Sequence, residues 1–252
     1  MIDLAIVERF ALLLVRPGML VMIAPGIGGQ HIPVMVKIAL TAFIGLGLLP
    51  SVTVPSELPQ LSLAMVIARE AAIGMSLAIV LRALIVAAEF AGHLSGQQIG
   101  FSYGATIDPQ SGVRNQMLAI LYGSLATLGF LAINGHHAVL RALVESYAGL
   151  PIGVGHINAS LLGSVRDIFA LVFIVAARLA APVVVVLLVV EIAIGLISRS
   201  SPSLSFMVIG YPIRIIVGLT IVAALVGTIP AVTNSLLNAV LITGANTARA
   251  FR

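Results

Sequence analysis

The stretch AEFAGHLSGQQIGFSYG, residues 88–104, carries a glycine at every fourth position from residue 92 onward. Residues four apart lie on the same face of a helix, so this spacing predicts a glycine face along one helix. Each glycine in a helix costs about 1 kcal/mol relative to alanine, and several in register therefore need a structural reason. The usual reason is close approach of a second helix. We predict that packing role for Gly92, Gly96, Gly100 and Gly104.

A row of polar side chains, Glu89, His93 and Gln97, runs beside the glycines with the same spacing. Ionisable groups inside a membrane helix are candidates for proton transfer, and Glu89 with His93 offers one such pair. A hydrogen-bond ladder between subunits explains the same row. We favour the ladder, because no second acidic cluster completes a proton path.

The composition of the 252-residue chain is that of a membrane protein, since 60% of its residues are hydrophobic and 9% are charged. Soluble domains carry roughly 25% charged residues. The 13 Lys and Arg residues are dispersed rather than clustered, which argues against nucleic-acid binding. Cysteine is absent, so disulfides and thiolate metal sites are excluded.

Apolar segments alternate with turn-rich breaks, and six of them lie near residues 4–25, 36–49, 61–88, 116–133, 166–197 and 205–242. A membrane span needs about 20 mostly apolar residues, but charges interrupt most of these segments, beginning with Arg16-Pro17 in the first. A charge at mid-membrane depth costs about 2.5–3.5 kcal/mol, and proline kinks a helix. We therefore predict an all-α, membrane-associated protein of kinked helical hairpins that assembles with other subunits. The charges expected to be buried are Arg69, Glu70, Arg82, Arg178, Glu191 and Arg214.

His136 and His137 are the clearest candidates for a metal site. Neighbouring side chains on a helix diverge by about 100°, so this pair is poorly placed to hold one ion. Asn134-Gly135 before them marks a turn, and we interpret the two histidines as part of a polar loop at an interface. No nucleophile elbow, phosphate-binding loop or zinc-protease motif is present. We expect no metal, no cofactor and no enzymatic activity.

Several motifs together resemble the FliR family of type III export-apparatus proteins, which has flagellar and virulence-system branches. The signature is GQQIGFS, residues 96–102, followed by IDPQSG, residues 107–112. The resemblance extends over nearly the whole chain and is closer to the flagellar branch. The other matching segments are REAAIG at residues 69–74, NGHH at residues 134–137 and APVVVVLLVVEIAIGLISR at residues 181–199.

The resemblance implies a multi-pass subunit of the export gate in the bacterial inner membrane, at the flagellar basal body. Such a subunit would contact membrane lipid and assemble with FliP-type and FliQ-type proteins into a helically stepped pore, much of it above the membrane core and packed on protein. An FlhB-type protein would lie at its cytoplasmic side. Unfolded flagellar proteins would pass through the pore. The resemblance also divides the chain into a FliP-like part, residues 1–160, and a FliQ-like helical hairpin, residues 161–252.

By the same resemblance, the polar loop after Ile99 is a plug across the closed pore. Its glycines and its Asp108-Pro109 turn permit movement, and its aromatic side chains supply bulk. The sequence leaves open whether Phe101 and Tyr103 belong to the core or to the plug. The predicted plug residues are Gly100, Phe101, Ser102, Tyr103, Gly104, Ile107, Asp108, Pro109, Gln110 and Gly112.

A small-molecule secondary transporter is the alternative function. In that case Glu89, His93 and Arg82 would form a polar site near the membrane midplane. The two functions differ in a measurable way, because a gate subunit should be extracted together with other small hydrophobic proteins. A transporter should instead be stable alone in detergent and bind a solute.

Overall fold

The computed structural model describes residues 4–29, 32–52, 63–101, 117–154, 160–200 and 206–228. Every regular element in these ranges is an α-helix, which confirms the predicted all-α class. In chain order the helices are α1 Leu4–Ile23, α2 Val34–Leu48, α3 Leu63–Ile99, α4 Met117–Ala132, α5 Gly135–Gly149, α6 Ser160–Ser200 and α7 Phe206–Val226.

Helix α5 occupies the segment for which the sequence predicted a polar loop, so that prediction is wrong for His136 and His137. The turn before them is where we expected it, because Asn134 has a left-handed backbone with φ 56° and ψ 33°. Asparagine is one of the few residues that adopt this conformation readily. The chain bends by 70° at this short break between α4 and α5, and no longer loop is needed.

Few of the described helices are long and apolar enough to cross a membrane. By length and composition α3 qualifies, as does the Gly163–Arg199 part of α6, and the bent pair of α4 and α5 makes a third if it counts as one span. Helix α2 and the Gly210–Val226 part of α7 are apolar but shorter. The six apolar segments of the sequence therefore do not correspond to six simple spans within the described ranges.

The chain folds as two compact units. The first unit takes its described residues from Met1–Leu84 and Phe130–Ala170. The second takes them from Ile85–Gly129 and Leu171–Asn234. Helices α3, α4 and α6 therefore contribute residues to both units.

In the first unit α1 packs against α2, and a buried lysine fixes the connection between them. The Lys37 ammonium donates hydrogen bonds to the carbonyl oxygens of Gly28 and Gly29, each at 3.0 Å. Gly26 supplies the positive φ, 80°, that this tight connection requires. A single cation thus binds two carbonyls of the turn that connects α1 to α2.

The core of the second unit is built from α3, α4, α6 and α7, and small residues make up much of it. Alanines on α3 and α6 let the helices approach closely, and larger side chains fill the remaining space. The buried members of this core are Ile85, Ala88, Ala91, Ile99, Leu118, Tyr122, Ala126, Ala176, Ala180, Val183, Leu187 and Val222.

Candidate functional site

The glycine face of α3 meets α4 most closely at Gly92, within the second unit. A Cβ atom on Gly92 would lie 2.4 Å from the carbonyl oxygen of Leu118 and 2.8 Å from the Cα atom of Ala119. Both of these atoms belong to the backbone of α4, so no side chain can rotate away to make room. The second helix that the glycine spacing implied is therefore α4 of the same chain.

The other glycines of the row have different surroundings. A Cβ atom on Gly96 would have its nearest contacts with the Leu118 side chain at 3.8 Å, which is an ordinary van der Waals distance. Gly100 lies beyond the end of α3 and has a φ of 102°, so its predicted place on the helix face is wrong. Gly104 lies outside the described residues.

Gly100 ends α3 through a Schellman motif. The amide of Gly100 donates to the carbonyl of Gln97, and the amide of Phe101 donates to the carbonyl of Gly96, both at 3.2 Å. This pairing requires a residue with positive φ after the helix, and glycine adopts it without a steric penalty. A Cβ atom here would also approach the ring of Tyr211 to 3.2 Å. The glycine therefore fixes where the chain leaves α3.

The structure divides the polar row into two parts. His93 and Gln97 are hydrogen-bonded to each other, with 3.1 Å between their Nε2 atoms. Glu89 instead lies against α4, because a Cβ atom on Gly123 would meet its Cγ at 2.7 Å and its Oε1 at 3.0 Å. Gly123 thus makes the space into which the Glu89 side chain fits.

The predicted plug falls almost entirely outside the described residues. Of its members, Gly100 has the helix-ending role above, and Phe101 is half-buried against the core of the second unit. The members that lie outside the described ranges are Ser102, Tyr103, Gly104, Ile107, Asp108, Pro109, Gln110 and Gly112.

A charge network is buried completely in the first unit, and it centres on a residue that the sequence did not single out as a site. Arg16 of α1 forms an ion pair with Glu70 of α3, and neither side chain has any solvent exposure. The Arg16 Nε and Nη2 atoms both donate to the carboxylate, Nη2 at 3.1 Å from Oε1. This two-point geometry is the strongest that an arginine and a carboxylate can form.

The remaining donors of the Arg16 guanidinium are also satisfied. Nη1 donates to the carbonyl and the hydroxyl oxygen of Ser146, at 3.1 and 3.4 Å, and Nη2 donates to the carbonyl of Leu150 at 2.8 Å. The guanidinium carbon lies 4.4 Å from the centre of the Tyr147 ring, a cation–π distance. An arginine has five N–H donors, and all five have partners here. The network joins α1, α3 and the end of α5.

Pro17 leaves a second polar group beside this network that needs a partner. Proline has no amide hydrogen, so the carbonyl of Leu13, four residues earlier, loses its helical partner. The Tyr147 hydroxyl donates to that carbonyl at 2.9 Å. A Cβ atom on Gly74 would lie 2.6 Å from the Arg16 carbonyl oxygen, so α3 can approach α1 here because residue 74 is glycine. In the sequence, Arg16-Pro17 indicates only an interruption of the first apolar segment.

The other charges predicted to be buried have mixed surroundings. Arg214 of α7 is mostly buried and pairs with the half-exposed Glu191 of α6 at 2.5 Å, within the second unit. Arg69 and Arg82 are partly buried, whereas Arg178 is exposed. The structure therefore does not bury Arg178 or Glu191 within the chain, and their burial stays a prediction.

A metal site is not apparent in the described ranges, where no group of three or more His, Cys, Asp or Glu side chains is placed to hold an ion. The His136 and His137 rings stand 4.3 Å apart and are tilted by 48°. No third ligand from the described residues joins them.

Comparison with known proteins relates the chain to bacterial protein export. A family model described as bacterial export proteins, family 1, matches residues 7–240. The flagellar biosynthetic protein FliR of Escherichia coli (strain K12) is 32% identical over 214 residues, covering 84% of this chain and 82% of that protein. The protein of the same name from Pectobacterium carotovorum is 31% identical over 226 residues, covering 89% and 86%. The Yop proteins translocation protein T of Yersinia pestis is 24% identical over 160 residues, covering 63% and 61%.

Proposed function

Because this chain belongs to the bacterial export proteins, family 1, we propose that it is a membrane subunit of the flagellar type III protein-export apparatus. The observation that carries this proposal is the length of the match, which runs from residue 7 to residue 240. The similarity to flagellar relatives also covers more of the chain, at higher identity, than the similarity to the Yersinia translocation protein. We therefore place the chain in the flagellar branch.

We propose that the chain lies in the inner membrane at the basal body, where it forms a pore with FliP-type and FliQ-type subunits and contacts an FlhB-type subunit. The cargo of the pore would be unfolded flagellar proteins. The surface of the chain supports assembly, because α2, α4 and α6 each expose several large apolar side chains. A surface of this kind needs lipid or protein to cover it.

Within this pore, we assign the segment between α3 and α4 the role of a plug, and residues 1–160 and 161–252 the FliP-like and FliQ-like parts. The sharp exit from α3 at Gly100 supports the plug, because it directs the chain away from the helix axis at a fixed point. We propose no catalytic step for the chain itself. The chain would form part of the pore wall and close the pore at rest, while partner proteins supply the driving force for export.

The experiment that tests this function is a native mass measurement of the tagged chain after mild detergent extraction from a flagellated bacterium. We expect a complex several times heavier than 26.1 kDa that contains other small hydrophobic export proteins. A chain that is monomeric, stable and able to bind a small solute would instead indicate the transporter. Loss of motility on deletion of the gene, and its recovery with the intact gene, would connect the complex to flagellar export.

A further inference from the structure

Helix α6 carries exposed charges at intervals too short for a lipid-covered span. The charged residues of the helix are Arg166, Asp167, Arg178, Glu191 and Arg199, and all of them are exposed. The longest stretch between them, residues 179–190, has twelve residues. Such a stretch is about 18 Å long, against a hydrocarbon core of about 30 Å that needs about 20 residues. A lipid-covered span of α6 would therefore place at least one of its exposed charges at hydrocarbon depth.

Arg178 is the charge for which this placement is most costly. Glu191 has a partner in Arg214 on α7, and Arg166 bonds Asp167 beside it. Within the part of the chain that the structure describes, no side chain pairs with Arg178. An arginine at the centre of a membrane helix costs about 2.5–3.5 kcal/mol if nothing compensates it.

A second polar group lies at the same position of the helix. Pro182 has no amide hydrogen, so the backbone carbonyl of Arg178 lacks its normal helical partner. Lipid tails cannot satisfy a free carbonyl any more than they can satisfy a guanidinium. The surrounding outer face is apolar, with Ile174 50% exposed and Val185 57% exposed. Position 178 is therefore a polar point within an apolar helix face.

Binding of Arg178 to a phospholipid headgroup would not remove exposed charges from the hydrocarbon. In one arrangement, Arg178 contacts the headgroups and the part of α6 that follows it lies in the hydrocarbon. Glu191, whose side chain is 48% exposed, would then lie about 20 Å below the headgroups. If the hydrocarbon lay on the N-terminal side of Arg178, Arg166 and Asp167 would lie about 18 Å deep while 81% and 59% exposed. Either arrangement places other exposed charges against lipid tails. Contact with a protein therefore fits this face of α6 better than contact with lipid.

We propose that the outer face of α6 around Arg178 is a docking surface for a helix of a partner protein, and that this helix presents a carboxylate to Arg178. The inference rests on the proposed function, because it assumes that the chain works inside a larger assembly. An apolar helix with one acidic side chain fits the face, since it covers Ile174 and Val185 and neutralises the guanidinium between them. A buried pair of this kind also fixes the register of the two helices.

Photo-crosslinking in the intact export complex tests this docking surface. Ile174 and Val185 are replaced one at a time by p-benzoylphenylalanine, which reacts with C–H bonds of both lipid and protein. We expect adducts with a different protein, mapping to a helix that has an Asp or Glu within about one turn of the reacted residue. Adducts with phospholipid alone, or with a second copy of this chain, would overturn the proposal.

Charge reversal tests the carboxylate. Arg178→Glu should lower the crosslinking yield at both positions by at least about tenfold, because two carboxylates would face each other. Arg199→Glu makes the same charge change in the last turn of the same helix and should keep the yield within about twofold. Reversing the mapped acidic residue to Arg should restore the yield of the Arg178→Glu chain, which a misfolded variant would not show. Equal yields in the two variants, or no restoration, would refute the pairing.

The proposed function fails in a separate way. If the intact chain does not copurify with other export proteins, the assignment to the export apparatus is wrong and the inference fails with it. If it copurifies and only lipid adducts form at positions 174 and 185, the assignment stands and the docking surface is refuted.

Discussion

A methyl group added at Gly92 should destabilise the chain, whereas the same methyl group added at Gly96 should not. The two glycines lie one turn apart on α3 and face the same helix, α4. A Cβ atom at position 92 would lie 2.4 Å from a backbone carbonyl oxygen, but at position 96 the nearest atom is 3.8 Å away. Normal contact begins near 3.5 Å, so Gly92→Ala requires α3 and α4 to separate by about 1 Å.

The expected magnitudes follow from two opposing effects. Replacing glycine by alanine within a helix stabilises it by about 1 kcal/mol. Forcing an extra methyl group into a packed core costs about 1–3 kcal/mol, and the upper part of that range applies here because backbone atoms obstruct it. We therefore expect Gly96→Ala to raise the free energy of unfolding by up to about 1 kcal/mol, and Gly92→Ala to lower it by about 1–2 kcal/mol. The difference between the two variants is about 2–3 kcal/mol.

Unfolding in mixed micelles measures this difference. The chain has no tryptophan, so helix content is followed by circular dichroism while the fraction of SDS is raised. The purified chain in mild detergent is the starting state for both variants and the original protein. If the free energies of unfolding of Gly92→Ala and Gly96→Ala differ by less than about 0.5 kcal/mol, the backbone contact between α3 and α4 does not limit packing, and the reasoning is wrong.

Three further changes test the buried network and the plug. Glu70→Gln leaves the Arg16 guanidinium uncompensated and should lower the free energy of unfolding, measured by the same SDS titration, by about 3–5 kcal/mol. The double variant Arg16→Met with Glu70→Leu should lose less stability than the sum of the losses in the two single variants. A double variant with strictly additive losses would show that the two residues are not coupled. Tyr147→Phe keeps the ring beside Arg16 but removes the donor to the Leu13 carbonyl, and it should lower the free energy of unfolding by about 1–3 kcal/mol. Unchanged stability would mean that another group satisfies this carbonyl. Deleting residues 103–111 should leave an assembled complex with raised resting conductance in a planar bilayer, and normal conductance in such a complex would rule out the plug.

The glycine spacing predicted a close helix contact but did not show how the contact changes along the row. Spacing reports which residues share a face, and it contains nothing about the path of the neighbouring helix. Gly92 and Gly96 are equivalent in the sequence, yet only Gly92 touches the backbone of α4. Gly100 differs for a local reason, since a glycine followed by a turn-rich segment is also the signal for a helix end.

The buried network was beyond sequence reasoning for a different reason. Arg16 meets Glu70, which is 54 residues away, and Ser146, which is 130 residues away. A single sequence shows that a charge lies in an apolar segment, but it does not show which distant group pairs with it. Helix α5 was not predicted because Asn134 precedes it and its first residues are a glycine and two histidines, features that are more typical of loops.

The contrast between Arg16 and Arg178 connects the fold to assembly. Both arginines interrupt apolar helices, and each is associated with a proline that frees a nearby carbonyl, Pro17 for Leu13 and Pro182 for Arg178 itself. Near Pro17 the chain supplies every partner: a carboxylate, three carbonyl or hydroxyl oxygens, an aromatic ring and a donor for the freed carbonyl. Near Pro182 the described residues supply no side-chain partner for the Arg178 guanidinium. Polar groups that are satisfied within the chain do not require a second protein. If the proposed docking surface is correct, the polar groups at position 178 are satisfied only after assembly, because burying them without partners would be costly.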